Sequence, residues 1–368
     1  MIVRCEDLKS VCSKILNALD NNSFSIITET LAIYTEGKYL YLAVTNREYF
    51  VKVKLDIQEE IEFRATVKAE VFLKLISKMT SETITFSIED NALVIVGNGK
   101  YKLPMIYDGD ELLSLPTIDI NNITSEFKVP SSILHSITNY NSKELAKKAV
   151  IANPVQKMYY LDSKGCITFT SGACVNKFDL DTTVSMLLDE KLVKLFKLFS
   201  GLDIDFKYGK DSVDGTIQTK IRLTSDTVEL TAIINSDETL FDVVPKDTIR
   251  NMAYEHYNNS IIIDKQAVID ALERILLFPV NTLSHYGTFV FKKNSVSISS
   301  LNQSNLENIY YSNSIDIDED YTATLDLEEL VTILSGMKTQ SITVNFGNHK
   351  SFVFSENHIY NIVPECKL

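Results

Sequence analysis

Asp-x-Asp pairs, among them Asp179/Asp181, Asp203/Asp205 and Asp316/Asp318, are the first candidates for chemistry in this sequence. On a strand, residues i and i+2 share a face, so each pair aims two carboxylates one way, as a Mg²⁺ site requires. The pairs are spread along the chain, which suits the wet faces of amphipathic strands better than one two-metal centre. The histidines (His135, His256, His285, His349, His358) form no H-x-x-x-H and pair with no cysteine, so no metal site is expected. The cysteines (Cys5, Cys12, Cys166, Cys174, Cys366) are odd in number, with irregular spacing and no C-x-x-C. They read as reduced, buried thiols of a cytoplasmic protein. A Ser or Cys nucleophile would need partners that no local motif supplies. G-x-G-x-x-G, G-x-x-x-x-G-K-[ST] and G-x-S-x-G are all absent. Neither a catalytic residue nor a cofactor is expected.

The lysines carry more information. In Asp189–Phe199, Lys191, Lys194 and Lys197 recur every three residues, while Leu192, Val193, Leu195, Phe196 and Phe199 form an apolar stripe. One side of such a helix packs on a sheet and the other presents ammonium groups. Lys74 and Lys78 lie one turn apart on another helical segment, Lys9 lies on a third, and Lys143, Lys147 and Lys148 cluster after a fourth. Each group alone suits a solvated face. Their recurrence suits a shared phosphate-facing surface.

That recurrence runs against the mean charge. The 368 residues carry a formal net charge of −13, with 45% hydrophobic residues. An acidic balance argues against nucleic acid on average, but one basic surface on an acidic protein remains compatible with it. The apolar fraction excludes wholesale disorder, and no run approaches the roughly 20 apolar residues of a membrane span. Arg4, Glu6 and Asp7 stand where a signal peptide needs an apolar run.

The elements that position these lysines repeat. Six segments have helical apolar spacing: Glu6–Leu19, Lys68–Met79, Pro130–Tyr140, Asp189–Phe199, Asp264–Leu277 and Asp326–Met337. Their starts lie 62, 62, 59, 75 and 62 residues apart. Each follows β-prone residues, and several open on Asp or Pro, which suit a first helical turn. Between them the pattern alternates as strands do, for example over Tyr39–Val44, Thr83–Ile88, Ala92–Val96, Ile217–Leu223 and Ser341–Phe346. Similar strands, Ile84-Thr85-Phe86, Ile204-Asp205-Phe206 and Ile342-Thr343-Val344, follow the second, fourth and sixth helices. The unit is one helix plus several strands, and two units fill a third of the chain. The expected fold is α+β: three sheet-rich domains with two helices each, 1–123, 124–247 and 248–368.

Three such tandem domains resemble the bacterial-type DNA polymerase III beta subunit, the DNA sliding clamp. The likeness spans the chain. Lys68–Met79, Ile84-Thr85-Phe86 and Gly99–Met105 (GKYKLPM) resemble the second half of the clamp's first domain. Asn153-Pro154-Val155, a strand, and Thr170-Ser171-Gly172 resemble its middle domain, where the family commonly has T-D-G. Phe241–Lys246 (FDVVPK) resembles the passage into the third domain, and Tyr360–Leu368 (YNIVPECKL) the closing strand, proline and tail. Ala173 and Cys174 stand where the family often has His-Arg.

The resemblance implies a head-to-tail homodimer, a six-domain ring around duplex DNA with helices lining the hole. It implies tethering of a replicative polymerase, which raises the polymerase's effective concentration at the primer end and involves no catalysis. Sequence-independent DNA contact would fall to Lys9, Lys74, Lys78, Lys143, Lys147, Lys148, Lys191, Lys194 and Lys197. Polymerase and clamp loader would dock short peptides in a groove lined by Gln156, Thr170, Gly172, Val175, Val243, Val244, Val363, Pro364 and Leu368. There Gly172 would let the peptide approach the backbone. The subunit interface would set Tyr101 and Leu103 against Leu276 and Leu277. Two other classes fit the residues: a clamp-fold binding or accessory protein that forms no ring, and a β-rich enzyme whose site forms only in three dimensions.

Overall fold

In a computed structural model, which describes residues 1–19, 25–147, 151–278 and 285–367, every one of the six expected helices directly follows a strand. The pairs are Ile2–Arg4 before Cys5–Ala18, Arg64–Lys68 before Ala69–Lys78, and Ile123–Val129 before Ser131–Ser136. Met186–Leu188 precedes Glu190–Lys194, Asn259–Asp264 precedes Lys265–Leu276, and Tyr321–Asp326 precedes Leu327–Gly336. Asp caps fix three of these starts: Asp189, Asp264 and Asp326 accept from the amides of Leu192, Ala267 and Glu329 at 2.7, 2.8 and 2.9 Å.

These leading strands do not stay with their own helix. Ile2–Arg4 pairs with Thr83–Glu89, which follows the second helix, and Arg64–Lys68 pairs with Thr30–Glu36, which follows the first. The same reciprocal exchange joins Ile123–Val129 to Ile204–Val213 and Met186–Leu188 to Tyr159–Asp162. It recurs between Asn259–Asp264 and Ser341–Phe346, and between Tyr321–Asp326 and Tyr286–Phe291. Each helix-plus-strands unit therefore completes the sheet of its neighbour.

The chain forms two compact units, residues 1–134 with 194–236, and residues 135–193 with 237–368. The first holds an eight-stranded antiparallel sheet, in the order Ile123–Val129, Ile204–Val213, Thr216–Thr224, Val228–Ile234, Tyr49–Asp56, Tyr39–Thr45, Thr30–Glu36, Arg64–Lys68. It also holds a four-stranded sheet ending on Lys100–Pro104. Cys5–Ala18 packs on Ala69–Lys78 and on Tyr39–Thr45, with Leu8, Ile15, Phe72 and Ile76 sealed inside.

The second unit repeats the plan. Its eight strands run Met186–Leu188, Tyr159–Asp162, Gly165–Phe169, Ala173–Lys177, Ile359–Pro364, Ser351–Glu356, Ser341–Phe346, Asn259–Asp264. A four-stranded sheet ends on Leu306–Tyr310. Lys265–Leu276 packs against Leu327–Gly336, above Phe291, Phe346 and Phe352, whose ring centroids lie 4.4 to 5.5 Å apart. Such aromatic contacts add about 0.5–1.5 kcal/mol each beyond their buried area.

Two helical segments were not read from the sequence. The helix Lys246–Tyr254, at the expected passage from the second domain to the third, lays Ile249 and Ala253 on the sheet. Pro245 and the run of polar residues after it hide the spacing of these few apolar side chains. The third helix runs on past its expected end through a widened turn, Ile137–Asn141, into Ser142–Leu145. The extra residue in that turn puts the buried Asn141 amide within 3.3 to 3.4 Å of Thr168 Oγ1 and the carbonyls of Cys166 and Cys174.

Candidate functional surfaces

The lysine stripe survives folding. Glu190–Lys194 is α-helical and Leu195–Leu198 is a 3₁₀ turn, in which residues i and i+3 eclipse. The three-residue lysine spacing therefore stays in register: Lys191, Lys194 and Lys197 are exposed, while Leu192, Val193, Leu195 and Phe196 are buried. Lys74 and Lys78 are exposed too, with Lys74 in a 2.5 Å ion pair to Glu70 one turn earlier. Lys9 is half-buried. Lys143 is half-buried with its stem against Gly336, where a Cβ would come within 2.7 Å of Lys143 Cγ. Lys148 lies outside the described residues.

Lys147 must be removed from the DNA-facing set. Its side chain is 2% exposed. The ammonium lies 2.6 Å from Glu144 and also pairs with Glu329, and Glu144 in turn accepts from the Thr170 hydroxyl at 2.6 Å. Burial pushes the Glu144 carboxyl above its usual range, against the pull of Lys147. The Lys147 ammonium is held above its own usual range: burial alone would lower it, and the two carboxylates outweigh burial. Periodicity finds a cation but cannot find the two acids that consume it, which lie 3 and 182 positions away. Beside this triad a polar cleft of about 300 Å³ is lined by Ser171, His285, Tyr286 and Asp326.

The proposed groove residues divide. Val175 and Val244 are core, packed with Val155, Ile249, Tyr257 and Ile362. Val363 belongs to a different cluster, with Phe352 and Leu325. Gln156 is committed to its own turn: its carbonyl oxygen accepts from the amides of Ala152 and Asn153 at 2.7 and 3.0 Å, and its amide donates to the Thr170 carbonyl at 3.1 Å. Thr170 is 8% exposed. Val243, at 44% exposure, is open; Gln156, Gly172 and Pro364 are half-buried, and Leu368 lies outside the described residues. Gly172 is constrained from within the chain, since a Cβ there would sit 2.2 Å from the Ile362 carbonyl oxygen. The close approach expected of a peptide is thus made by the strand Ile359–Pro364.

The accessible apolar residues around this cluster are instead Leu240, Phe241, Met252, Phe169 and Tyr360. Phe241 sets its ring edge-on to Tyr160 at 6.3 Å, and Tyr360 does the same to Tyr254 at 5.2 Å. The apolar pair Leu240-Phe241 inside a polar connector was the available signal.

The expected interface residues lie near two sheet edges. Lys100–Pro104 is an edge strand, with Tyr101 39% exposed and Leu103 buried. Leu276 is half-buried against the core of the second unit, and Leu277 is 73% exposed. The other edge strand, Leu306–Tyr310, was not foreseen. It exposes Leu306 and Tyr310, and a bidentate pair between Arg274 and Glu307, at 2.7 and 3.0 Å, ties it to the helix carrying Leu276. Among the described residues no group of three or more His, Cys, Asp or Glu is placed to hold a metal. No helix among them is long and apolar enough to cross a membrane.

Residues 1–124 match the family model of the DNA polymerase III beta subunit, N-terminal domain. The chain also superposes on solved beta clamps over its full length. The Pseudomonas aeruginosa DNA polymerase III subunit beta gives a TM-score of 0.78 at 13% identity, covering 100% of both chains. The Bacillus subtilis sliding clamp gives 0.75 at 14%, covering 100% of this chain and 98% of the other. The Helicobacter pylori beta clamp bound to a DNA ligase peptide gives 0.73 at 17%, covering 100% and 99%. No curated protein sequence matches the chain.

Proposed function

We propose that this chain, whose first 124 residues match the DNA polymerase III beta subunit family and which has the beta-clamp fold throughout, is a cytoplasmic sliding clamp that encircles duplex DNA and tethers a replicative polymerase. The family is non-catalytic. The observation that carries the reading is the threefold recurrence of strand exchange between neighbouring helix-plus-strands units. It supports three domains, 1–123, 124–247 and 248–368. Each eight-stranded sheet then joins halves of two adjacent domains, at Val228–Ile234 with Tyr49–Asp56 and at Ala173–Lys177 with Ile359–Pro364.

Among the sheet edges, Lys100–Pro104 in the first domain and Leu306–Tyr310 in the third are the two that lie with the expected interface residues. Two different edges on one chain make a head-to-tail contact, which closes into a ring when the rotation allows. In a homodimer this contact would add the hydrogen bonds of a ladder to an apolar centre of Tyr101, Leu103, Leu276 and Leu277. DNA binding through lysines would be weak, salt-sensitive and blind to sequence, which permits sliding. Polymerase and loader peptides would dock on the surface of Leu240, Phe241, Val243 and Tyr360, by analogy with the Helicobacter pylori clamp and its ligase peptide.

Molecular mass tests the ring. Light scattering at micromolar concentration should give twice 41.6 kDa. A monomer would discard the ring in favour of a clamp-fold accessory protein.

A further inference from the structure

In the first unit, the segment from Leu113 to Asn122 crosses the face of the eight-stranded sheet that carries Ala32, Tyr34, Ala43 and Phe50. Strand alternation puts this face opposite the one that Leu31, Ile33, Leu40 and Leu42 turn to the core. The strap is pinned at both ends. Thr66 Oγ1 donates to the Leu113 carbonyl at 3.0 Å. At the other end the amides of Asn121 and Asn122 donate to the Asp211 carboxylate at 3.1 and 2.9 Å, and Lys220 donates to the Asp119 carbonyl at 2.8 Å while pairing with Asp211 at 3.0 Å. Burial alone would raise the Asp211 carboxyl; these hydrogen bonds hold it below its usual range. Between the pins Leu115 and Ile118 pack with Ala43 and Phe50, and the buried Ile120 meets the sheet at Gly209.

The equivalent seam in the second unit is covered differently. There the helix Lys246–Tyr254 supplies Ile249 and Ala253, and Tyr257 follows. An extended strap covers less of the Tyr34–Phe50 face than a helix does. Beside it remains a pocket of about 380 Å³, lined by Tyr34, Phe50, Phe63 and Leu115 and rimmed by Glu36 and Glu62. Arg64 is the cation among the lining residues. The exposed Glu62 follows Glu59 and Glu60 in the chain. Its neighbour Phe63 is held by Thr35, whose amide donates to the Phe63 carbonyl at 3.0 Å and whose hydroxyl accepts from the Phe63 amide at 2.9 Å.

We propose that this pocket is a second docking site, separate from the groove of the second unit, for a short basic peptide of a partner protein: an aromatic or large aliphatic side chain enters between Tyr34, Phe50 and Leu115, and flanking Lys or Arg residues meet Glu36 and Glu62. The volume falls within the roughly 300–1,000 Å³ of ligand pockets. The apolar floor supplies affinity and the acidic rim selects a cationic flank, the usual division between anchors and charged rims. The strap is already pinned, so little ordering cost is left to binding.

The test uses the full-length protein and a fluorescein-labelled synthetic hexapeptide, Lys-Lys-Phe-Leu-Lys-Lys, read by anisotropy. Ala32→Phe fills the pocket; Glu36→Lys with Glu62→Lys reverses the rim on exposed residues and should leave the melting temperature unchanged. Each should weaken binding at least tenfold, as should Phe→Ala in the peptide. The proposal is overturned by no binding at millimolar peptide, by equal binding of a Glu-flanked peptide, or by wild-type affinity in both variants. It is also overturned if Phe241→Ala in the second unit abolishes binding while the pocket variants keep it. A mass that falls on Ala32→Phe would mean a second copy fills the pocket, which equally ends the proposal. The peptide-binding outcomes do not bear on whether the chain forms a ring; the mass on Ala32→Phe does.

Discussion

Replacing Lys147 with Met decides between two roles for one residue. If it is the buried centre of a triad, the substitution strands Glu144, which is fully buried, with the Thr170 hydroxyl and amide as its neutral donors. Breaking a buried pair by removing one partner costs about 3–5 kcal/mol. A domain of 150–250 residues loses about 2–4 °C per kcal/mol, so the transition of the second unit should fall by about 6–20 °C. The destabilisation should depend on pH with a definite sign. Without Lys147 the folded Glu144 pKa lies above its unfolded value, because burial already pushes it up. The folded state then binds the proton more readily than the unfolded state, so the variant's deficit should shrink as pH falls from 8 toward 5. Lys147→Met with Glu144→Gln should recover much of the stability at pH 8, since no buried charge is then stranded. Calorimetry at several pH values measures all of this, and a DNA titration against salt supplies the contrast. Removing a lysine that touches one phosphate would lower the log–log salt slope by about 0.9. A Lys147→Met protein with unchanged melting temperature and a reduced salt slope would refute the argument and return Lys147 to the DNA face.

Other outcomes follow from the same geometry. Reversing Lys191, Lys194 and Lys197 to Glu should leave the fold intact, because the apolar side of that helix is untouched; the salt slope should fall by about 0.9 for each of these lysines that neutralises a phosphate, and an unchanged slope would take this stripe off the DNA. Leu277→Asp should give a monomer by light scattering with a native circular-dichroism spectrum, because a charge placed at the proposed interface has no partner there and costs several kcal/mol on association. Phe241→Ala, or removal of residues 365–368, should weaken a labelled polymerase or loader peptide at least tenfold, about 1.4 kcal/mol, with the dimer preserved; equal affinities would place the partner site elsewhere.

Helices were legible because each must bury an apolar stripe at a period that strands do not share. All six were foreseen, as were strand pairs such as Thr83–Glu89 with Ala92–Val96. The exchange of leading strands was not, since Ile2–Arg4 and Arg64–Lys68 read as β-prone residues whose partners lie 79 or more and 30 or more positions away. Site residues were least legible. Val175 and Val244 have the chemistry of a groove wall but the burial of a core, and no spacing rule separates the two. Lys147 matched its neighbours in type and differed only in the acids folded around it. Phe241 was read only as part of the passage Phe241–Lys246, and Leu240 not at all, because two apolar residues in a polar connector show no period that sets them on a surface.

The central claim is topological, and one measurement addresses it directly. The protein, loaded onto nicked circular duplex DNA and passed through a sizing column at high salt, should stay with the circle, because a closed ring needs no ionic contact to remain linked. Cutting the circle once should release it, as it slides off the ends. Retention on both forms, or release from both at a salt concentration that removes phosphate contacts, would contradict an encircling clamp.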